Sequence, residues 1–190
     1  MTASPATTDV RRDERDWQNE TGWMYQERAH ARAGTRFVLE RQFARIAAAL
    51  AATPEHAALD LGCGTGFLVD WLARHTPARW CGADLSVSAM RKAHDRNASL
   101  GLTTGDAEHL PFRDGAFHRI VCNGSAHHFL DLDVAMSEVF RILAPGGRLV
   151  LYEPVATPIG EAVRQGLFKD SKYESPADLA HKHEFTRASV

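Results

Sequence analysis

Along the 190-residue chain the apolar positions change rhythm near residue 55. From Thr35 onward, Leu39, Phe43, Ile46 and Leu50 recur at steps of three and four, which predicts a helix with one buried face, and Pro54 in ATPEH ends it. Beyond it, short apolar runs alternate with helical patterns. AALDL reads as a strand stopped by Gly62, FLVDWLARH as a helix, and ARWCGAD as a second strand. SVSAMRKAHDRNA follows as a helix with Ser86 placed to cap it, then GLTTGD as a third strand and HRIVCN as a fourth. DVAMSEVFRIL is a helix closed by the APGG turn, and RLVLYEP a fifth strand. Apolar strands alternating with helices predict an α/β fold, doubly wound about a mostly parallel sheet covered on both faces. Ligands of such sheets bind beyond the carboxyl ends of the strands, where the strand order switches.

Residues 1–12 are small, polar and rich in Thr and Ala, and are expected to be a disordered tail. Residues 13–54 are expected to form a helical lid and the first core helix, and 55–190 the ligand-binding domain. The 44% hydrophobic content is ample for one core, so the chain suits one domain with a small appendage. A net charge of −2 gives no electrostatic case for nucleic acid or an anionic membrane. Cys63, Cys81 and Cys122 have no CxxC spacing, which argues against a disulfide framework or a zinc site. The N-terminus has no apolar signal core and no run reaches the length of a membrane span, so a cytoplasmic protein is expected.

The candidate chemistry starts at LDLGCGTGF. Gly62, Gly64 and Gly66 lie between the first strand and a helix, where glycine permits positive φ and close approach of a ligand to the backbone. The third glycine comes one residue too early for the dinucleotide pattern GxGxxG, and the lysine of a phosphate-binding P-loop is missing. That suits a ligand without a pyrophosphate. Asp84 ends the second strand about 20 residues beyond the loop, where an acid can accept both ribose hydroxyls. Asp106 ends the third strand, where a carboxylate can accept an exocyclic amine while the Ala107 amide faces a ring nitrogen. Asp60 is placed to hold an ammonium group or the loop itself. Each feature also has a plainer explanation: the glycines as a tight turn, Asp84 as a helix cap, Asp106 as a turn former. All three would have to coincide at adjacent strand ends.

LDLGCGTGF, GADLS with Met90 nearby, GDAEHLPFRDGAFHRIVC and LAPGGRLVLYEP, in this order and spacing, resemble the class I S-adenosylmethionine (SAM) methyltransferases. The resemblance covers roughly residues 35–155 and is nearest to the small-molecule branch that includes the quinone C-methyltransferases. It implies a Rossmann-like sheet and SAM as cofactor, leaving as S-adenosylhomocysteine. It further implies cofactor contacts from Asp60, Gly62, Cys63, Gly64, Gly66, Asp84, Leu85, Met90, Asp106, Ala107 and Asn123. The function implied is methyl transfer to O, N or C of a small organic acceptor by in-line displacement.

Such a reaction needs alignment and exclusion of water, and a base only where the acceptor has a proton to lose. The family lines its methyl site with the segment found here as CNGSAHHFLD, so His128 or His127 is the candidate base; capping and packing are the plainer roles. Trp23 and Tyr25 are candidates for a lid over the substrate, and Glu153, beside Tyr152 at the end of the fifth strand, for a substrate contact. No metal site is expected, since Asn123 and Gly124 stand where metal-dependent relatives carry acids.

The sequence departs from the family after the fifth strand. GEAVRQGLFKD reads as a helix, but the final pair of strands that closes the family's sheet is missing. That leaves three readings: an open sheet edge, an edge covered by a second copy in a homodimer, or a shortened chain with an incomplete acceptor pocket. The alternative to an enzyme is a SAM-binding module or partner subunit without transferase activity. A NAD-dependent enzyme of similar topology is weaker because of the early third glycine.

Overall fold

The structure is a computed structural model, and it describes the backbone of residues 5–153, with side-chain surroundings from residue 10. The described strands are β1 (Ala57–Leu61), β2 (Arg79–Asp84), β3 (Gly101–Thr104), β4 (Phe117–Asn123) and β5 (Leu143–Tyr152). They form one parallel sheet in the order β3-β2-β1-β4-β5. The order reverses at β1, which lies between β2 and β4, so the loops after β1 and β4 flank the switch point.

Side chains alternate across the sheet and sort the core into two layers. On one face Ala58, Trp80 and Val121 pack against α3 (Ala33–Leu50), α4 (Phe67–His75) and α5 (Val87–Arg96) through Phe43, Ile46, Leu50, Leu68, Leu72 and Ala93. On the other, Leu59, Leu61 and Ile120 pack against Ala135, Val139 and Ile142 of α6 (Leu132–Ile142). Two helices begin as local sequence demands. Ser86 Oγ accepts the Ala89 amide at 3.1 Å, and Asp131 Oδ1 accepts the Val134 amide at 3.1 Å. Pairing of β4 with β5 jumps from Phe117–Leu143 to Arg119–Arg148, so the expected APGG turn is a bulge inside β5, with Gly146 at φ +72.

The N-terminal segment differs from expectation. Residues 5–12 belong to α1 (Pro5–Trp17), which runs through a π-helical turn, Gln18–Gly22, into α2 (Trp23–Ala31). The tail composition suggested disorder, but this helix is anchored by distant partners. Arg11 meets Asp106 and Glu108, and Asn19 on the π turn accepts Ser86 Oγ at 3.1 Å and the Ser88 amide at 3.2 Å. Such contacts offset the cost of ordering a polar segment. The helix expected over GEAVRQGLFKD lies outside the described residues. Among the described residues, no helix is long and apolar enough to cross a membrane.

Candidate active site

A cavity of about 330 Å³ opens at the carboxyl ends of β1, β2, β3 and β4. The sheet supplies Leu61 and Gly62, then Asp84 and Leu85, then Asp106, Ala107 and Glu108, and finally the turn from Gly124 to Leu130. The N-terminal helices supply the roof with Arg11, Glu14, Trp17, Tyr25 and Gln26. Acids dominate: Glu14, Asp84, Asp106 and Glu108 face the cavity, against the guanidinium of Arg11.

The glycine loop is held from three sides. Asp84 accepts the Gly64 amide on Oδ2 at 2.7 Å and the Ser86 amide on Oδ1 at 2.8 Å. Gln26 Oε1 accepts the Thr65 amide at 2.8 Å from above, and Arg96 Nε donates to the Thr65 carbonyl at 3.0 Å. Gly62 has φ +71, and a Cβ there would strike Ser125, whose hydroxyl donates to the Leu61 carbonyl at 3.0 Å. Beneath the loop Asp60 is 1% exposed and its Oδ2 has no partner. Burial, reinforced by the charge of Asp84, pushes the Asp60 carboxyl up to about 8, and burial raises Asp84 as well.

At the opposite wall, the short 3₁₀ turn Ala126–His128 carries both candidate bases. His127 Nδ1 lies 2.8 Å from Glu153 Oε2, and His128 Nδ1 lies 3.5 Å from Glu14 Oε1 on α1. Trp17 and Tyr25 stack with centroids 6.1 Å apart, and Trp17 approaches His128 at 6.4 Å.

Residues 59–151 match the family described as Methyltransferase domain. The matched segment runs from β1 into β5 and is similar to a class I methyltransferase domain. The chain is similar to Methyltransferase GfsG of Streptomyces halstedii, 39% identical over 122 residues, covering 61% of this chain and 44% of that protein. It is also similar to a demethylmenaquinone methyltransferase of Thermus thermophilus, 40% identical over 107 residues, covering 54% of this chain and 49% of the relative. Among solved structures, the YcgJ protein of Bacillus subtilis superposes with a TM-score of 0.63 at 25% identity, covering 78% of this chain and 64% of that one. The chain thus spans about half the length of the curated relatives it matches.

S-adenosylmethionine is the methyl donor of that family, and the residues lining this cavity fit it. The acidic cavity wall of Glu14, Asp84, Asp106 and Glu108 suits a nucleoside that carries ammonium and sulfonium charges. The same acids would repel the pyrophosphate of a dinucleotide. Asp60, expected to hold the ammonium group or the loop, lies buried beneath the loop and outside the cavity lining.

Of the residues expected to contact cofactor, Gly62, Asp84, Leu85, Asp106 and Ala107 line the cavity. Others do not. Met90 is 7% exposed in the core between α5 and the sheet, and Cys63 is 6% exposed and packs against Gly82. Gly64 lies under the side chain of Gln26, and Gly66, at φ +82, packs on Ala93 of α5. Asn123 is turned to α3, where its Oδ1 accepts Gln42 Nε2 at 2.6 Å. Of the expected substrate contacts, Tyr25 lines the cavity. Trp23 is turned away, its indole donating to the Asn19 carbonyl at 3.2 Å with Lys92 over its ring. Glu153 faces the His127 turn, its side chain 5% exposed, because backbone amides and an imidazole there satisfy a carboxylate that open cavity would leave to water.

Sequence reasoning missed Arg11, Glu14, Trp17, Gln26 and Glu108. A signal was present: positions 11, 14, 18, 22 and 25 recur at helical steps and all face the cavity. The face is polar, so an apolar periodicity search passes over it.

Proposed function

We propose that this protein transfers a methyl group from S-adenosylmethionine to a small organic acceptor at O, N or C, releasing S-adenosylhomocysteine. The observation that carries the proposal is that one cavity holds Asp84 and Asp106 at one end and His127 and His128 at the other. When bound, the cofactor supplies a methyl already activated at sulfonium. Asp84 keeps a lone pair on each oxygen beyond its two amide bonds and would receive the ribose hydroxyls. Asp106, with the Ala107 amide beside it, would receive the base. The aromatic roof of Trp17 and Tyr25 excludes water from the acceptor end, where a histidine takes the acceptor's proton.

Calorimetric titration with S-adenosylhomocysteine tests the reading. Asp84→Ala removes the ribose acceptor and unties Gly64, and should weaken binding by roughly 1.5–3 kcal/mol, about ten- to over a hundredfold. NAD, titrated in parallel, should not bind. Unchanged affinity in Asp84→Ala, or binding of NAD in place of the nucleoside, would overturn the assignment.

A further inference from the structure

Two histidines share the turn after β4, and their surroundings divide the work between them. Glu153 stands at the end of β5 and spends one oxygen on the turn itself: Oε1 accepts the Ser125 amide at 3.0 Å and the Ala126 amide at 2.9 Å. Its other oxygen, Oε2, meets His127 Nδ1 at 2.8 Å. The carboxylate is therefore fixed by core backbone before it touches the ring. His128 has a different partner. Glu14 sits on the N-terminal helix, 3.5 Å from His128 Nδ1, and is itself held by Gln18 Nε2 at 2.9 Å. The two imidazoles lie with centroids 4.1 Å apart and planes tilted by 41°.

We propose that Glu153 is a positioning residue that fixes His127, rather than His128, as the base of the transfer. The proposal deepens the methyltransferase reading and rests on it. An ionised carboxylate only accepts, so the contact with Oε2 requires Nδ1 to carry the hydrogen. Nε2 is then the ring nitrogen with the lone pair, on a residue that lines the cavity. As the acceptor's X–H bond breaks, its electron pair forms the bond to the methyl carbon. Sulfur keeps the electrons of the bond it loses, and the proton passes to His127 Nε2. The imidazolium that results is stabilised by the Glu153 charge at Nδ1. His128 is paired instead with a carboxylate of the N-terminal helix, which is not fixed by the strand-end backbone as Glu153 is. Glu153 does not line the cavity, so its influence on the reaction runs through His127.

The test needs no acceptor. The full chain, labelled with ¹⁵N-histidine and saturated with S-adenosylhomocysteine, is examined by long-range ¹H–¹⁵N spectroscopy, with His127→Gln used to assign the resonance. The wild-type His127 should be the Nδ1–H tautomer. Glu153→Gln should abolish that preference while calorimetric affinity for S-adenosylhomocysteine stays within about twofold, because the carboxylate lies outside the cavity. An Nε2–H tautomer in the wild type would overturn the proposal with no variant needed, which covers the case in which Glu153→Gln does not fold. A folded Glu153→Gln protein with an unchanged tautomer would overturn it too, leaving Glu153 only a cap for the turn. Failure of the wild type to bind S-adenosylhomocysteine would sink the cofactor reading instead, and it is read separately from the tautomer.

Discussion

The cavity has two walls of different construction. The sheet wall is made of strand ends: Gly62, Asp84 and Asp106 stand where β1, β2 and β3 stop, and their positions follow from the parallel register beneath them. The helical wall, from Arg11 to Gln26, has no buried apolar stripe of comparable size, and α2 buries no residue fully. It is held by polar bonds, each reaching a different part of the sheet wall. Arg11 reaches Asp106 and Glu108, Asn19 reaches the start of α5, Gln26 reaches the glycine loop, and Glu27 pairs with Arg96 at 2.8 Å. One wall is fixed by packing, the other by exchangeable hydrogen bonds and ion pairs. Their opening free energies should differ accordingly, with the helical wall at the low end.

Neighbouring glycines offer the strongest way to break this contrast. Gly66 has φ +82, and a Cβ would lie 2.8 Å from the Ala93 Cβ of α5, inside the packed core. Gly64 has φ +53, but its Cβ would meet only the tip of Gln26, a flexible side chain of the helical wall. Both alanine variants carry left-handed strain of about 1–2 kcal/mol. Gly66→Ala adds overpacking of about 1–3 kcal/mol, so its melting temperature should fall by roughly 5–15 °C. Gly64→Ala should lose less global stability and show its effect as faster amide exchange in α2. Equal melting losses with no change in α2 would mean that both walls belong to one core.

The same contrast governs what the sequence reveals. The ends of α4, the strand β4, the Ser86 cap and the acids at successive strand ends are local facts: a period, a stop or a capping residue lies within a few positions of each. The turn after β4 and the glycine loop are legible for the same reason. Trp23, Asn123, Met90 and Glu153 are not. Each has a partner far along the chain or on another face, namely Lys92, Gln42, the core under α5, and the Ser125–His127 turn. A side chain's type says that it needs a partner, and only the fold says which one. The helical wall was hardest to read because the side it turns to the cavity is mostly polar, so apolar periodicity does not mark it.

Charge offers a second, smaller probe. Arg11 is the cation among Glu14, Asp84, Asp106 and Glu108 in the cavity lining. S-adenosylmethionine carries one more positive charge than S-adenosylhomocysteine, so removing Arg11 should favour the former. Arg11→Ala also loosens the helical wall and shifts both affinities, but their ratio cancels that common effect. The preference for S-adenosylmethionine should rise about two- to fivefold, or about 0.4–1 kcal/mol, and the gain should shrink at high salt. An unchanged ratio would mean that Arg11 only fastens the helix and takes no part in the cavity's field.

The smallest expected effect concerns pH at the point where the two walls touch. His30 of α2 stacks on Phe67 of α4 at 3.4 Å, and the guanidinium of Arg96 also lies 3.4 Å from that ring. Nδ1 donates to the Gln26 carbonyl at 2.9 Å, and Nε2 is buried with no partner. Burial holds the His30 pKa below its ordinary 6.5, with Arg96 adding to the shift while the Gln26 carbonyl and Glu27 oppose it. A histidine lowered on folding is neutral when docked and takes a proton more readily when undocked. Its contribution is therefore fully present above pH 6.5 and is lost as pH falls from there towards the folded value. Asp60, raised on folding, acts in the opposite sense as pH rises towards about 8, so a global melting curve mixes the two. A local measurement separates them. Protection factors of α2 amides, corrected for intrinsic exchange, should drop about two- to fivefold on acidification below pH 6.5, while those of β1 and β4 hold. His30→Phe keeps the stack and removes the proton site, and should flatten that response. If α2 and the strands lose protection together, the helical wall opens only with the core and the distinction between the walls fails.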